Sequence, residues 1–233
     1  MTFALDVHDL KVSAASGQSL LEIPRLELAS GRSLGIRGPS GAGKSTLLYA
    51  LSGLLDCLEG RLCWGDINLV ELSSRRRAAF REHYVGMIFQ DFLLFEELDA
   101  LTNAGLSALF RPRRERGDIS ARAADHLQRL GIQDSARKVA SFSGGERQRV
   151  AVARALAANP SILLADEPTA SLHRSAADAL SQDLVALARD AGTTLVVVSH
   201  DERLLARLDE VLTIADGRPT DPAYINKRTA DHA

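Results

Sequence analysis

Gly38-Pro39-Ser40-Gly41-Ala42-Gly43-Lys44-Ser45 decides how the rest of the chain is read. Glycines at 38, 41 and 43 permit backbone conformations that a side chain forbids. Such a loop can wrap its N–H groups around phosphate oxygens, and a helix starting near Lys44 adds the positive end of its dipole. Lys44 is placed to reach the terminal phosphates. The hydroxyl of Ser45, with Thr46 behind it, is placed to face Mg²⁺. The surroundings fit: Ser33–Arg37 reads as a strand feeding the loop, and a helix is expected from Lys44 to about Leu54.

A second stretch, Ile162-Leu163-Leu164-Ala165-Asp166-Glu167, ends an apolar strand on two acids. Alone, such acids are as ordinary as any solvated strand end. Downstream of a complete phosphate loop they take roles: Asp166 as a Mg²⁺ ligand and Glu167 as the group that polarises an attacking water.

Around these motifs the chain alternates between strand and helix patterns. Phe3–Val7 and Leu26–Leu28 alternate apolar and polar residues across a Ser/Gly-rich turn at Ser13–Ser19, which predicts antiparallel strands. Val85–Phe89 reads as a buried strand ending at Gln90. From about 92 to 139 the pattern is helical, with Ala123, Leu127 and Leu130 at helix spacing and Gly131 as the stop. Within it, Arg111–Gly117 is expected as an exposed connection whose arginines face water. A helix is expected from Ser143 to about Ala158, and another from Arg174 to Ala191, ended by Gly192. Ser161–Ala165 and Thr193–Val198 are continuous apolar runs, typical of parallel strands covered on both faces. Val211–Ala215, a turn at Asp216-Gly217 and a polar tail complete the pattern.

The bulk properties remove several classes. With 233 residues, 45% hydrophobic, 25% charged and a formal charge of −2, the chain resembles an ordinary globular protein and has no general drive toward nucleic acid. No nucleic acid partner is expected. The apolar runs are too short for a membrane helix, which takes ~20 residues. The first residues lack the basic and apolar pattern of a secretory signal. Cys57 and Cys63 fit no metal or redox spacing and read as two reduced thiols.

Ser143-Gly144-Gly145-Glu146 opens the helix after the insert. Ser143 and Glu146 form the pattern of a capping box, which by itself is an ordinary helix start. Two adjacent glycines exceed what capping needs, and their bare N–H groups suit an incoming phosphate. With this motif the sequence resembles the ATPase subunits of ATP-binding cassette (ABC) transporters, over essentially its whole length. Ser143–Leu156, Leu164–Thr169 and Val198–Asp201 are most similar to the lipoprotein-releasing, macrolide-export and cell-division group.

The resemblance implies an α/β fold: a P-loop NTPase core with a central, mainly parallel sheet, an N-terminal antiparallel β subdomain and an inserted α-helical subdomain. It implies one ABC ATPase domain over 1–233, with 1–91 and 140–233 as catalytic core and about 92–139 as helical subdomain. The implied cofactors are ATP and Mg²⁺. Two chains, expected to be copies of this one, would sandwich two ATP molecules, each between the phosphate loop of one and Ser143–Glu146 of the other. Gln90 would sense Mg²⁺ and water and link to an integral membrane permease. His200 would contact the γ-phosphate and support Glu167. The chain would sit peripherally on the cytoplasmic face of the inner or plasma membrane. A regulatory cassette that signals through a membrane partner, or a module that holds ATP with little turnover, are the other readings.

Three positions depart from the family pattern. No Phe, Tyr or Trp lies between Phe3 and Tyr49, where the family stacks an aromatic ring on adenine, and His8 carries the only ring there. His173 stands where an Asp is usual. That either alters coupling across the dimer or is simply tolerated. Phe142 replaces a usual Leu, with packing as its expected consequence. In Asp91–Phe95, Phe92 and Phe95 are either subdomain core or contacts for a membrane partner.

Overall fold

Alternation of apolar and polar side chains pairs the N-terminal residues as a hairpin in the computed structural model, which describes residues 3–221 and residue 224. Its strands are β1 (Leu5–Ser13) and β2 (Ser19–Leu28), with Val7, Leu10, Ile23 and Leu26 turned into the core. Strand β3 (Ser33–Arg37) then enters the phosphate loop, and α1 (Lys44–Leu51) leaves it. The chain returns to the hairpin through β4 (Leu58–Trp64) and β5 (Ile67–Asn68), giving an antiparallel sheet of order β2-β1-β4-β5.

Helix α2 (Ser74–Tyr84) leads to β6 (Val85–Ile88). Helices α3 (Ala100–Ala104) and α4 (Arg113–Arg129) fill the insert, and α5 (Gly144–Ala157) brings the chain back. Strand β7 (Ile162–Asp166), α6 (Arg174–Asp190), β8 (Thr194–Val198), α7 (Glu202–Leu205), β9 (Glu210–Ala215) and β10 (Arg218–Pro219) follow. The second sheet has the order β10-β9-β3-β8-β7-β6, parallel except at β10.

Alternate residues of the parallel strands enter two apolar clusters. Ile162, Leu164, Val196 and Val198 face α1 and the antiparallel sheet. Leu163, Ala165, Leu195 and Val197 face α5, α6 and the apolar side of α4. Burial on both faces explains why β7 and β8 read as unbroken apolar runs. It also aligns the carboxyl ends of β3, β6, β7 and β8 at one edge, the edge where open α/β sheets bind ligands.

Two expectations need correction. Helix α1 stops at Leu51 rather than near Leu54, because Gly53 takes the left-handed conformation (φ 70°). Arg111–Gly117 is not an exposed connection throughout: α4 begins at Arg113 with Pro112 at its N-cap, and Gly117 lies inside the helix. Proline's fixed φ suits a helix start, and arginine is a good helix former. Two of the arginines are spent locally, Arg111 on the carbonyl of Glu82 and Arg116 on those of Arg111 and Leu109. Most of the polar tail lies outside the described residues.

Residues 55–84, which carried no clear pattern, supply a large anchor. Trp64 is fully buried, and its Nε1 donates to the Leu51 carbonyl at 2.8 Å. This bond ties the antiparallel sheet to the end of α1. Trp64→Ala is expected to cost about 3–5 kcal/mol, read from the urea midpoint. A loss under about 1 kcal/mol would contradict this packing.

Candidate nucleotide site

The loop after β3 is fixed by contacts with the turn after β9. Gly38 adopts φ 151°, and a Cβ there would sit 2.0 Å from the Ile214 carbonyl oxygen. Ala42 accepts a hydrogen bond from Gly217 N at 3.1 Å. Gly43 precedes α1 at φ 96° with no side-chain cap, so the first N–H groups of the helix are left for a ligand. Lys44 Nζ donates to the carbonyls of Gly38 and Pro39, both at 2.9 Å, which folds the ammonium back over the loop.

A cavity of about 550 Å³ opens above this loop. Gly38, Ser40, Gly41, Gly43 and Lys44 line it from the loop, and Ser45 and Thr46 line it from α1. Gln90, Asp166, Glu167 and His200 reach it from β6, β7 and β8. Residues more than a hundred positions apart in sequence therefore meet in one space. Pro39 and Ala42 belong to the loop without lining the cavity.

Asp166 is 3% exposed. Ser45 Oγ donates to its Oδ1 at 3.3 Å, and Tyr49 Oη to its Oδ2 at 3.4 Å. Burial pushes its pKa up, Glu167 adds to the rise, and the two hydroxyls and Lys44 oppose it. Tyr49 was not singled out by sequence, because a tyrosine on an apolar helix face reads as core.

Glu167 has a left-handed backbone (φ 46°), held by its N–H on the Val198 carbonyl at 2.9 Å. Such a conformation is uncommon for a residue other than glycine. It points the carboxylate into the cavity, where His200 Nδ1 stands 2.9 Å from Oε2. The two atoms are close but not aligned as a hydrogen bond, so among the described residues Oε2 has no donor.

Ser143, Gly144, Gly145 and Glu146 do not line this cavity. They form a complete capping box at α5, with Glu146 N on Ser143 Oγ at 3.3 Å and Ser143 N on Glu146 Oε2 at 2.8 Å. The bond from the Ser143 N–H leads in holding the Glu146 carboxyl below its usual range, and Arg137 assists. Phe142 does more than pack: the Arg137 guanidinium lies 4.0 Å from its ring centroid and pairs with Glu146 at the same time. No sequence signal joined Arg137 to this motif.

His173 is the exposed N-cap of α6 and makes no side-chain capping bond. Arg174 beside it pairs with Asp201 at 3.1 Å, which ties the start of α6 to the segment carrying His200. Past Gln90, Phe92 and Leu93 have positive φ (60° and 50°), and the guanidinium of Arg154 binds both their carbonyls. Phe92 is half-buried, while Leu93 and Phe95 are exposed. A mainly apolar groove of about 700 Å³ runs beside this turn, lined by Met87, Phe89, Leu93, Leu106 and Phe110 among others. Phe110 is 73% exposed.

Comparison with known proteins gives one answer. Residues 21–170 match the family model described as ABC transporter. The chain is 39% identical to the uncharacterized ABC transporter ATP-binding protein YbbA of Escherichia coli K12, over 92% of this chain and 95% of that one. It is 35% identical to the lipoprotein-releasing system ATP-binding protein LolD of Geobacter metallireducens, over 94% and 98%. Among solved structures, the dimeric bacterial ABC transporter cassette MJ0796 superimposes with a TM-score of 0.83 at 31% identity, over 93% and 97%. A dimer of the same cassette is known in a post-hydrolysis state bound to ADP and Pi (TM-score 0.82).

Proposed function

The chain belongs to the ABC transporter family, and from that premise we propose how its residues divide the work. It is the ATP-binding and ATP-hydrolysing subunit of a transporter, and two subunits close on two Mg-ATP to drive a separate membrane permease. The observation that carries the division of labour is the convergence of Lys44, Ser45, Gln90, Asp166, Glu167 and His200 on one cavity, with Ser143–Glu146 outside it.

Lys44 and the loop N–H groups from Gly38 to Thr46 hold the phosphates. Ser45, Asp166 and Gln90 are oxygen donors, the set that a hard divalent cation prefers, and Asp166 already faces the Ser45 hydroxyl. The residues therefore fit Mg²⁺, which when bound neutralises charge on the β- and γ-oxygens. Glu167, with Oε2 free of donors, orients water and accepts its proton. His200 sits beside that carboxylate, where it would face the terminal phosphate of a bound nucleotide.

Ser143–Glu146 completes the site of the other subunit, because its helix start does not reach the cavity of its own chain. This favours two copies of the chain as the working dimer. The chain acts as one ATPase domain, with 1–91 and 140–233 as catalytic core and about 92–139 as helical subdomain. The groove beside Leu93 and Phe110 receives a short segment of the permease, so the chain lies on the cytoplasmic face of the membrane, and the cargo is of the lipid or lipoprotein export class. Among the described residues no helix is long and apolar enough to cross a membrane.

A composite site makes turnover depend on encounter. Specific ATPase activity of the purified chain should rise with protein concentration and plateau once dimers dominate. Constant specific activity across the monomer range would contradict the shared site.

A further inference from the structure

We propose that this site accepts nucleoside triphosphates with little regard for the base, because among the described residues the flank that receives the base presents the aliphatic side chain of Leu20. The inference rests on the nucleotide reading of the cavity and adds its substrate range.

The sheet order sets the geometry. The phosphate loop follows β3, with β8 and β7 on one side and β9 on the other. Glu167 and His200 follow β7 and β8, so the terminal phosphate belongs on that side. The base must then leave toward β9. Leu20 stands on this flank: its carbonyl is 3.3 Å from the position of a Cβ on Gly43 and 2.8 Å from that of a Cβ on Gly217, in the turn after β9. The Leu20 side chain lines the cavity and is 40% exposed.

Among the described residues that line the cavity from the loop, α1 and β2, none carries an aromatic ring. Phe3 is buried against Phe80 and Tyr84, and Tyr49 is turned to Asp166. His8 pairs with Asp6, and it lies five residues back along β1 from Ser13, the partner of Ser19, or about 17 Å away. Around Leu20, Ser19 Oγ donates to Glu22, and Arg218 pairs with Glu22 at 2.7 Å. A base on this flank meets the side chain of Leu20, the β2 residue that lines the cavity, while Ser19, Glu22 and Arg218 are engaged with one another. Stacking strengthens the hold on any base, and hydrogen bonds to the base edge are what separate one base from another.

The test uses the full chain carrying Glu167→Gln, with Mg²⁺, and displaces a fluorescent ATP analogue with ATP, GTP, CTP, UTP and inorganic tripolyphosphate. The four nucleotides should bind within about fivefold of each other. Leu20→Tyr should tighten ATP and GTP by roughly tenfold and leave tripolyphosphate unchanged. A preference for ATP above about tenfold in the chain with Leu20 overturns the inference, as does a Leu20→Tyr protein with unaltered ATP affinity. If neither the nucleotides nor tripolyphosphate displace the probe, the nucleotide site itself is wrong and the inference falls with it.

Discussion

Glu167→Gln should lower ATP turnover by about 10²–10⁴-fold while Mg-ATP binding survives. The amide keeps the size of the carboxylate and can still orient water through its oxygen. It cannot take the proton that water must lose as it attacks phosphorus. The backbone should tolerate the change, because the left-handed turn at 167 is held by the N–H bond to Val198 and not by the side chain. Single-turnover phosphate release, set beside equilibrium binding of the same protein, separates the two effects. Residual turnover above about a tenth of the parent would remove Glu167 from the role of base.

Lys44→Ala should act on the other half of the function and weaken binding by about a hundredfold or more. Hydrogen bonds from a charged donor contribute roughly 1.5–3 kcal/mol each, and the ammonium offers several to the terminal phosphates. In the structure the same ammonium holds the carbonyls of Gly38 and Pro39. The Pro39 bond is exposed, so water can replace it and the fold should lose little stability. Thermal unfolding should therefore move by a few degrees at most while nucleotide affinity collapses. Lys44→Arg should not restore binding, since the planar guanidinium is no substitute for a compact ammonium in a tight loop. A change in affinity of less than threefold would show that the phosphates sit elsewhere.

The parallel core was legible in sequence for a physical reason. Strands β7 and β8 are buried on both faces, so their composition carries an unbroken apolar signal that solvent-facing strands dilute. The phosphate loop and the acidic pair were legible because their chemistry demands fixed residue types at fixed spacing. Residues 55–84 were not, since β5 has two residues and α2 is strongly polar, with Arg77 and Phe80 as its buried residues. The start of α4 was misread because a Pro followed by charges looks like a loop unless proline's fitness for a helix start is weighed first. Within the site, Tyr49, Arg137 and Arg174 act through partners on other elements, Asp166, Glu146 and Asp201, and no local pattern marks them. The position of Leu20 is of the same kind: it became visible only when β2 was seen to lie against the loop on the β9 side.

The separation of Ser143–Glu146 from the cavity of its own chain is the central point, since the proposed function rests on it in making the site depend on a second subunit. The most direct measurement is the molar mass in solution of the Glu167→Gln chain, by size-exclusion chromatography with light scattering, with and without Mg-ATP. Conversion from monomer to dimer on adding Mg-ATP, reversed when Ser143 is replaced by Arg, is the expected result. A protein that binds Mg-ATP and stays monomeric at every concentration would contradict it.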